Sequence, residues 1–382
     1  MKSFFSTKTN ILDNILKYEL FKNIPGNKNN KIKLQKLFNT NIKPNGLLFS
    51  GQHGIGKFAF AIDIARYLNV YTSENSQKII GLVNQFVKPY INYIFPIPNK
   101  QSDDDGDKKN IPENILKLIK TQITKKSENP FHPISFKEKT NISIDTIRDL
   151  KKDLSITRNE NGTNVVIIDY AEQMSVEAQN SLLKILEEPP ESTLFIILVE
   201  DKNKIVSTIL SRCWVFDFNP LSDEELFNIL TNNFQIEIEK ANSVIPFSKG
   251  SYVSSLDLLQ LKNIDLSDLL TNFFRFAITK KYFTAFNYLT QIYENVNEKL
   301  DFVIYLLKIW LNDAEKNMLN YNQYTFSNLY ETYSKMNSSQ TKYNFYVVQQ
   351  NLDKYISYTK ANINSKILFM NLIFEISTIS NR

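Results

Sequence analysis

Gly51, Gly54, Gly56 and Lys57 stand at the spacing of a phosphate-wrapping loop. The run Gly51-Gln52-His53-Gly54-Ile55-Gly56-Lys57-Phe58 follows G-x-x-x-x-G-K and departs from that pattern at its last position. Such a loop works because backbone N–H groups at a helix N-terminus point at phosphate oxygens while the lysine supplies a point charge. The residue after the lysine ordinarily brings a hydroxyl to Mg2+, and Phe58 has no oxygen to give. From the residues alone two readings stand: a vestigial or weakly binding loop, in which Gly51, Gly54, Gly56 and Lys57 join strand to helix and at most hold a phosphate, or a truly ATP-competent site. Asp169 is the second candidate, a carboxylate closing an apolar run, where a P-loop protein holds its metal.

These residues need a rigid frame. Residues 46–50 (GLLFS) read as a buried strand running into the glycine loop, and residues 57–67 follow with a helical period. Residues 164–169 (NVVIID) form a second buried strand and 194–199 (LFIILV) a third. Between them residues 175–188, rich in Leu, Ala, Glu and Lys, read as a helix that Pro189-Pro190 stops, since proline lacks the N–H and pushes its predecessor out of the helical region. Strands alternating with helices from about 45 to 218 predict an α/β unit with a mostly parallel sheet.

Residues 71–140 break that rhythm. Within them 99–110 are polar and charge-dense, as in an exposed loop. A calcium loop is excluded there: aligning Gly106 to its required sixth position puts Gln101 first and Pro112 where a glutamate is needed. After Pro220 strands cease. Ser222 followed by Glu225 is a helix-capping pattern, and beyond about residue 263 the chain is aromatic-rich and helical. There Val303, Leu306, Leu307, Trp310 and Leu311 lay one apolar stripe along a helix.

Composition narrows the function classes. At 382 residues the chain suits two or three domains, and 42% hydrophobic content with 27 Phe and 19 Tyr supplies their cores. A net charge of +5 from 45 basic and 40 acidic residues, with no basic block, makes any DNA contact secondary. One cysteine, Cys213, excludes an internal disulfide, and two histidines do not make up a cysteine-based zinc site, so no metal is expected. The first twenty residues carry Asp13 and Glu19 and no apolar core of a signal peptide. The longest aliphatic-aromatic run is 194–199, far short of a membrane span. A soluble, cytoplasmic protein without membrane association is expected.

The block from Asn164 to Cys213 is more specific. Its pieces Asn180-Ser181-Leu182-Leu183-Lys184-Ile185-Leu186-Glu187-Glu188-Pro189-Pro190 and Ser211-Arg212-Cys213 resemble the clamp-loader branch of the AAA+ proteins, and within it the delta-prime subunits of bacterial DNA polymerase III. Residues 142–154, with Asp145, Ile147 and Arg148, look like the helix before this strand in the family. The resemblance covers about residues 40–220; the last 160 share only helicity and aromatic content.

The resemblance implies a RecA-like AAA+ domain over 1–219 with an insertion at about 71–130, a small helical lid over 220–262 and a helical collar over 263–382, an α/β plus all-α fold. It implies a hetero-oligomer with gamma/tau and delta subunits, meeting the sliding clamp and primed DNA through the complex. It implies that Arg212 acts in trans on a neighbouring subunit's ATP, a guanidinium stabilising charge on the transferring phosphoryl group. The bland alternative is that Arg212 makes a structural ion pair. The chain departs from the ATP-hydrolysing members at several places. Tyr170 follows Asp169 where a water-activating glutamate is usual, Val199 stands where a threonine would sense the γ-phosphate, and Tyr252 and Val253 follow Gly250-Ser251 where a lid arginine is common. The family's four-cysteine zinc module is missing as well. An ATPase-inactive subunit requiring no cofactor is expected, with residual nucleotide binding at the loop left open; the alternative is a gamma/tau-like ATPase. Cys213 reads as a small buried hydrophobe.

Overall fold

The computed structural model describes residues 18–40, 44–70, 76–98, 113–136, 140–156, 162–259, 266–296, 300–321, 324–326, 329–338, 342–359 and 364–381. The loop expected at 99–110 lies outside them. The polypeptide divides into two compact units, one of residues 1–241 with 249–253, the other of 242–248 with 254–382.

The first unit is built on a five-stranded sheet. Its strands are β1 (Gly46–Ser50), β2 (Ile91–Ile94), β5 (Asn164–Ile168), β6 (Thr193–Val199) and β7 (Trp214–Asp217), in the order β2-β5-β6-β1-β7. Every pairing among them is parallel. A separate antiparallel pair joins β3 (Ile97–Pro98) to β4 (Thr140–Asn141). The apolar runs have a physical reason: β1 and β5 are buried at every residue, and β6 at all but its first, because helices cover both faces of a parallel sheet. This is the α/β layer that the alternating pattern predicts, and it is the RecA-like AAA+ arrangement. Residues 71–130, expected as an insertion, contain β2, which forms one edge of the main sheet by pairing with β5. Four residues with Asn92 and Tyr93 among them carry too little apolar signal to be read as a strand.

Helices turn at the positions their caps dictate. The helix Lys57–Val70 starts directly from the glycine loop. The helix Val176–Glu187 is capped by Ser175, whose hydroxyl accepts from the Ala178 N–H, and it ends before Pro189. It buries Ala178, Leu182, Ile185 and Leu186 against the sheet side that holds Leu48, Val166, Phe195 and Ile197. The helix Asp223–Asn233 opens with the full capping box: the Glu225 N–H donates to Ser222 Oγ (3.2 Å) and the Ser222 N–H to Glu225 Oε2 (3.0 Å).

The second unit is helical, with its core drawn from Leu266–Ile278, Tyr282–Asn295, Leu300–Met318, Tyr330–Asn337, Phe345–Thr359 and Ser365–Ser377. A short antiparallel pair, β8 (Lys342–Tyr343) and β9 (Ser380–Asn381), accompanies them. The stripe Val303, Leu306, Leu307, Trp310 and Leu311 is buried throughout. Trp310 stacks on Phe274 at 3.9 Å between ring centroids and meets Tyr333 edge-on at 5.3 Å.

Candidate functional site

Parallel strands deliver their C-terminal ends to one edge of the sheet, where open α/β folds form a crevice. Gly51 follows β1, Asp169 follows β5 and Glu200 follows β6, so the glycine loop and the carboxylate are brought to the same edge. Gly54 (φ +74°) and Gly56 (φ +93°) adopt the left-handed backbone that the tight turn needs. The loop is covered by the chain itself. A Cβ on Gly54 would lie 2.2 Å from Ser251 Oγ and 2.7 Å from the Val253 nitrogen. The Tyr252 N–H donates to the Gly54 carbonyl (2.9 Å), and Ser251 Oγ donates to the His53 carbonyl (2.8 Å). Phe131 stands over Gly56 and packs edge-on against Tyr252 at 5.5 Å.

Lys57 is buried and turned back into its own loop, donating to the carbonyls of Gly51 and Gln52. Burial lowers its pKa to about 8, against the raising effect of Asp169, Glu172 and Glu200. Phe58, at the place of the metal-binding hydroxyl, lies in an aromatic cluster, 5.0 Å from Tyr93 and 6.0 Å from Phe86. The Lys126 ammonium sits over the Phe58 ring, 4.0 Å from its centroid, and donates to the His132 carbonyl (2.8 Å). Burial lowers the Lys126 pKa to about 8, while the charge of Asp169 acts to raise it. Asp169 is buried and accepts from Tyr93 Oη (3.1 Å) and from the Tyr170 N–H (3.1 Å). Tyr170 itself, with φ +53°, stacks on His53 at 4.3 Å and donates its hydroxyl to the Ile134 carbonyl. Burial first, then neighbouring negative charge, pushes its phenol well above the ordinary value.

Sequence reasoning missed part of this edge. Lys126 and Phe131 come from a segment more than fifty residues from the loop and carry no motif. Glu172 also faces the loop: its Oε1 lies 3.4 Å from His53 Nε2. Burial raises the Glu172 pKa, yet His53 and backbone N–H groups together hold it below the usual carboxylate value.

Arg212 lies at the other edge. It immediately precedes β7, and β7 runs parallel to β1 with Leu47 opposite Trp214. The Arg212 carbonyl is 3.7 Å, and Cys213 Sγ 2.8 Å, from the Cβ position of Gly46, the first residue of β1. Gly51 lies five residues further along the chain than Gly46, about 16 Å of strand at ~3.3 Å per residue. The structure thus unites Gly51, Gly54, Gly56, Lys57 and Asp169 and sets Arg212 apart. The Arg212 side chain is 37% exposed and pairs with Glu187 (2.8 Å) at the end of its helix, with a further bond to the Thr208 carbonyl (2.9 Å). Gln179 fixes the approach to this corner: its buried amide accepts from the Val206 N–H (2.9 Å) and donates to the carbonyls of Met174 and Lys204. Cys213 is buried, and burial pushes its thiol up to about 12, which makes it a packing group and no nucleophile.

A family model described as "DNA polymerase III, delta subunit" matches residues 26–222, more than half of the chain. Among curated proteins, DNA polymerase III subunit gamma/tau of Mycoplasma genitalium is 29% identical over 263 residues, 66% of this chain and 37% of its own. Subunit delta' of Haemophilus influenzae is 28% identical over 134 residues, 35% of this chain and 41% of its own. Subunit delta' of Bacillus subtilis is 38% identical over 80 residues, 21% and 24% of the two chains. The matches thus span less than half the length of these relatives. A gamma-subunit-related protein of Thermotoga maritima aligns over 91% of this chain and 98% of its own at 16% identity, with a TM-score of 0.39. Among the described residues no helix is long and apolar enough to cross a membrane.

Proposed function

The chain belongs to the family described as DNA polymerase III, delta subunit, and from that premise we propose that it is a delta-prime-like clamp-loader subunit that hydrolyses no ATP itself and lends Arg212 to a neighbour. The observation that carries this reading is the separation of Arg212 from its own glycine loop by the length of β1. A guanidinium at that edge does not serve the nucleotide site of its own chain, and its exposure suits an outward target. Its ion pair with Glu187 is no obstacle, because exposed pairs are worth about 0–1 kcal/mol and are easily exchanged for a phosphate.

The covered loop supports the other half of the reading. Phe58 offers no metal ligand, Tyr170 no base, and Ser251, Tyr252 and Phe131 lie where the loop would meet a ligand. Residual nucleotide binding by Gly51, Gly54, Gly56 and Lys57 near Asp169 would require those groups to move and is expected to be weak. In the proposed assembly, a hetero-oligomer with gamma/tau and delta subunits, residues 220–262 act as the lid and 263–382 as the collar. Sliding clamp and primed DNA are met through the complex.

The test is clamp- and DNA-stimulated ATPase of a loader reconstituted with this chain or with Arg212→Ala. Turnover should fall on the order of 10³-fold while the complex still assembles. Unchanged turnover in an intact complex would refute the trans role. Hydrolysis by the isolated chain would favour the gamma/tau-like alternative.

A further inference from the structure

We propose that His53, Glu172 and Glu200 form a site for a borderline divalent cation of the Zn2+ class, a site distinct from any Mg2+-nucleotide position because it uses neither residue 58 nor Asp169. The three come from separate segments: the glycine loop after β1, the turn after β5 and the end of β6. Their donor atoms all lie within 4.8 Å of one another, the one such group of three or more among the described residues. His53 Nε2 is 3.4 Å from Glu172 Oε1 and 3.7 Å from Glu200 Oε2. Both separations are longer than the usual N–H···O distance of about 2.7–3.2 Å, the Glu172 contact being a long hydrogen bond at most. The first equals, and the second exceeds by about 0.3 Å, the edge of a tetrahedron about 3.4 Å long, which metal–ligand bonds of about 2.0–2.2 Å generate. One imidazole and two carboxylates, with a fourth position open to water, is a donor set of the kind Zn2+ accepts.

The donors are also held from behind. The second oxygen of Glu172 accepts from the Glu200 N–H (3.3 Å), so one carboxylate is oriented by the backbone of the other ligand's residue. The His53 ring is stacked on Tyr170 and its carbonyl is bonded to Ser251. Glu172 is nearly buried, with 6% of its side chain exposed, whereas His53 at 32% and Glu200 at 51% leave an entry path from solvent. A bound cation would tie three strand ends together and pin the glycine loop closed.

The composition makes the test clean, since His132 is the other histidine and Cys213 the lone, buried cysteine. The full chain, stripped with chelator, is titrated with Zn2+ alone by calorimetry and checked by metal analysis after dialysis. The expected result is saturable one-to-one binding, weakened at least tenfold in His53→Ala and in Glu172→Gln and unchanged in His132→Ala. Glu200→Gln, at the most exposed donor, serves as the variant least able to disturb folding and should also bind at least tenfold more weakly, with an unaltered circular dichroism spectrum. No stoichiometric binding by the wild type, or binding by His53→Ala and Glu200→Gln equal to it, would overturn the site. Neither partner subunit nor nucleotide enters this measurement, so its outcome is independent of the role of Arg212.

Discussion

The glycine loop and the Arg212 corner, at opposite edges of the one parallel sheet, hold their charges in opposite ways. Around the loop Lys57, Lys126 and Asp169 are buried and spend their hydrogen bonds inside the chain. At the other edge Arg212 and Glu187 are exposed to solvent; the guanidinium is held by their ion pair, the Thr208 carbonyl and the Ser211 hydroxyl. Burying a charge makes it costly to move, whereas an exposed ion pair is weak and exchangeable. The fold has therefore filled the glycine loop with its own groups and left the Arg212 guanidinium facing solvent.

The largest effect that would break this contrast comes from trying to reopen the glycine loop. Phe58→Thr restores the missing hydroxyl but removes a ring packed on Tyr93, Phe86 and Lys126. It should cost about 3–4 kcal/mol in urea unfolding, as large-to-small core changes do, and still yield no detectable ATP turnover. Turnover by this single variant would mean the covering groups are no barrier.

A somewhat smaller effect reads the buried charge directly. The Lys126 pKa lies near 8 in the folded chain and near 10.5 when exposed. Below about pH 8 both states hold the proton, and the folded state carries the whole cost of the buried ammonium. From about 8 to about 10.5 the unfolded state binds more protons, so stability rises with pH. Lys126→Met should flatten that rise, measured by chemical denaturation across this window, by on the order of 3 kcal/mol. Lys57, shifted the same way, keeps part of the slope.

The smallest effect sharpens the contrast from the Arg212 corner. Glu187→Ala removes the partner of Arg212, and because that pair is exposed, stability should change by less than about 0.5 kcal/mol, with little response to added salt. A loss several times larger would show the pair to be structural and would count against an arginine poised to leave it.

Much of the sheet is legible from the amino acids because burial on both faces writes itself as unbroken apolar runs, as in residues 46–50, 164–168 and 194–199. Ser175, Ser222 and Pro189 mark helix ends because capping and proline effects act within a few residues of themselves. The glycine loop is legible for the same reason. Lys126 over Phe58 and the meeting of His53 with Glu172 and Glu200 are not, since they depend on which strand ends become neighbours. β2 escaped because its edge position requires no continuous apolar run, and Tyr93 and Asn92 take up inward polar duties with Asp169 and Asn164.

Gln179 has a mechanical consequence. One buried side chain joins the helix Val176–Glu187 to the segment that leads through residues 202–206 to Arg212, and Glu187 joins the far end of that helix to the same arginine. The corner is therefore fixed at one end by a buried amide and closed at the other by an exposed, exchangeable ion pair, so the backbone ahead of Arg212 is anchored while its guanidinium can change partner. An anchored backbone carrying a loosely held side chain is a hinge with a fixed pivot: the tip swings and its origin does not.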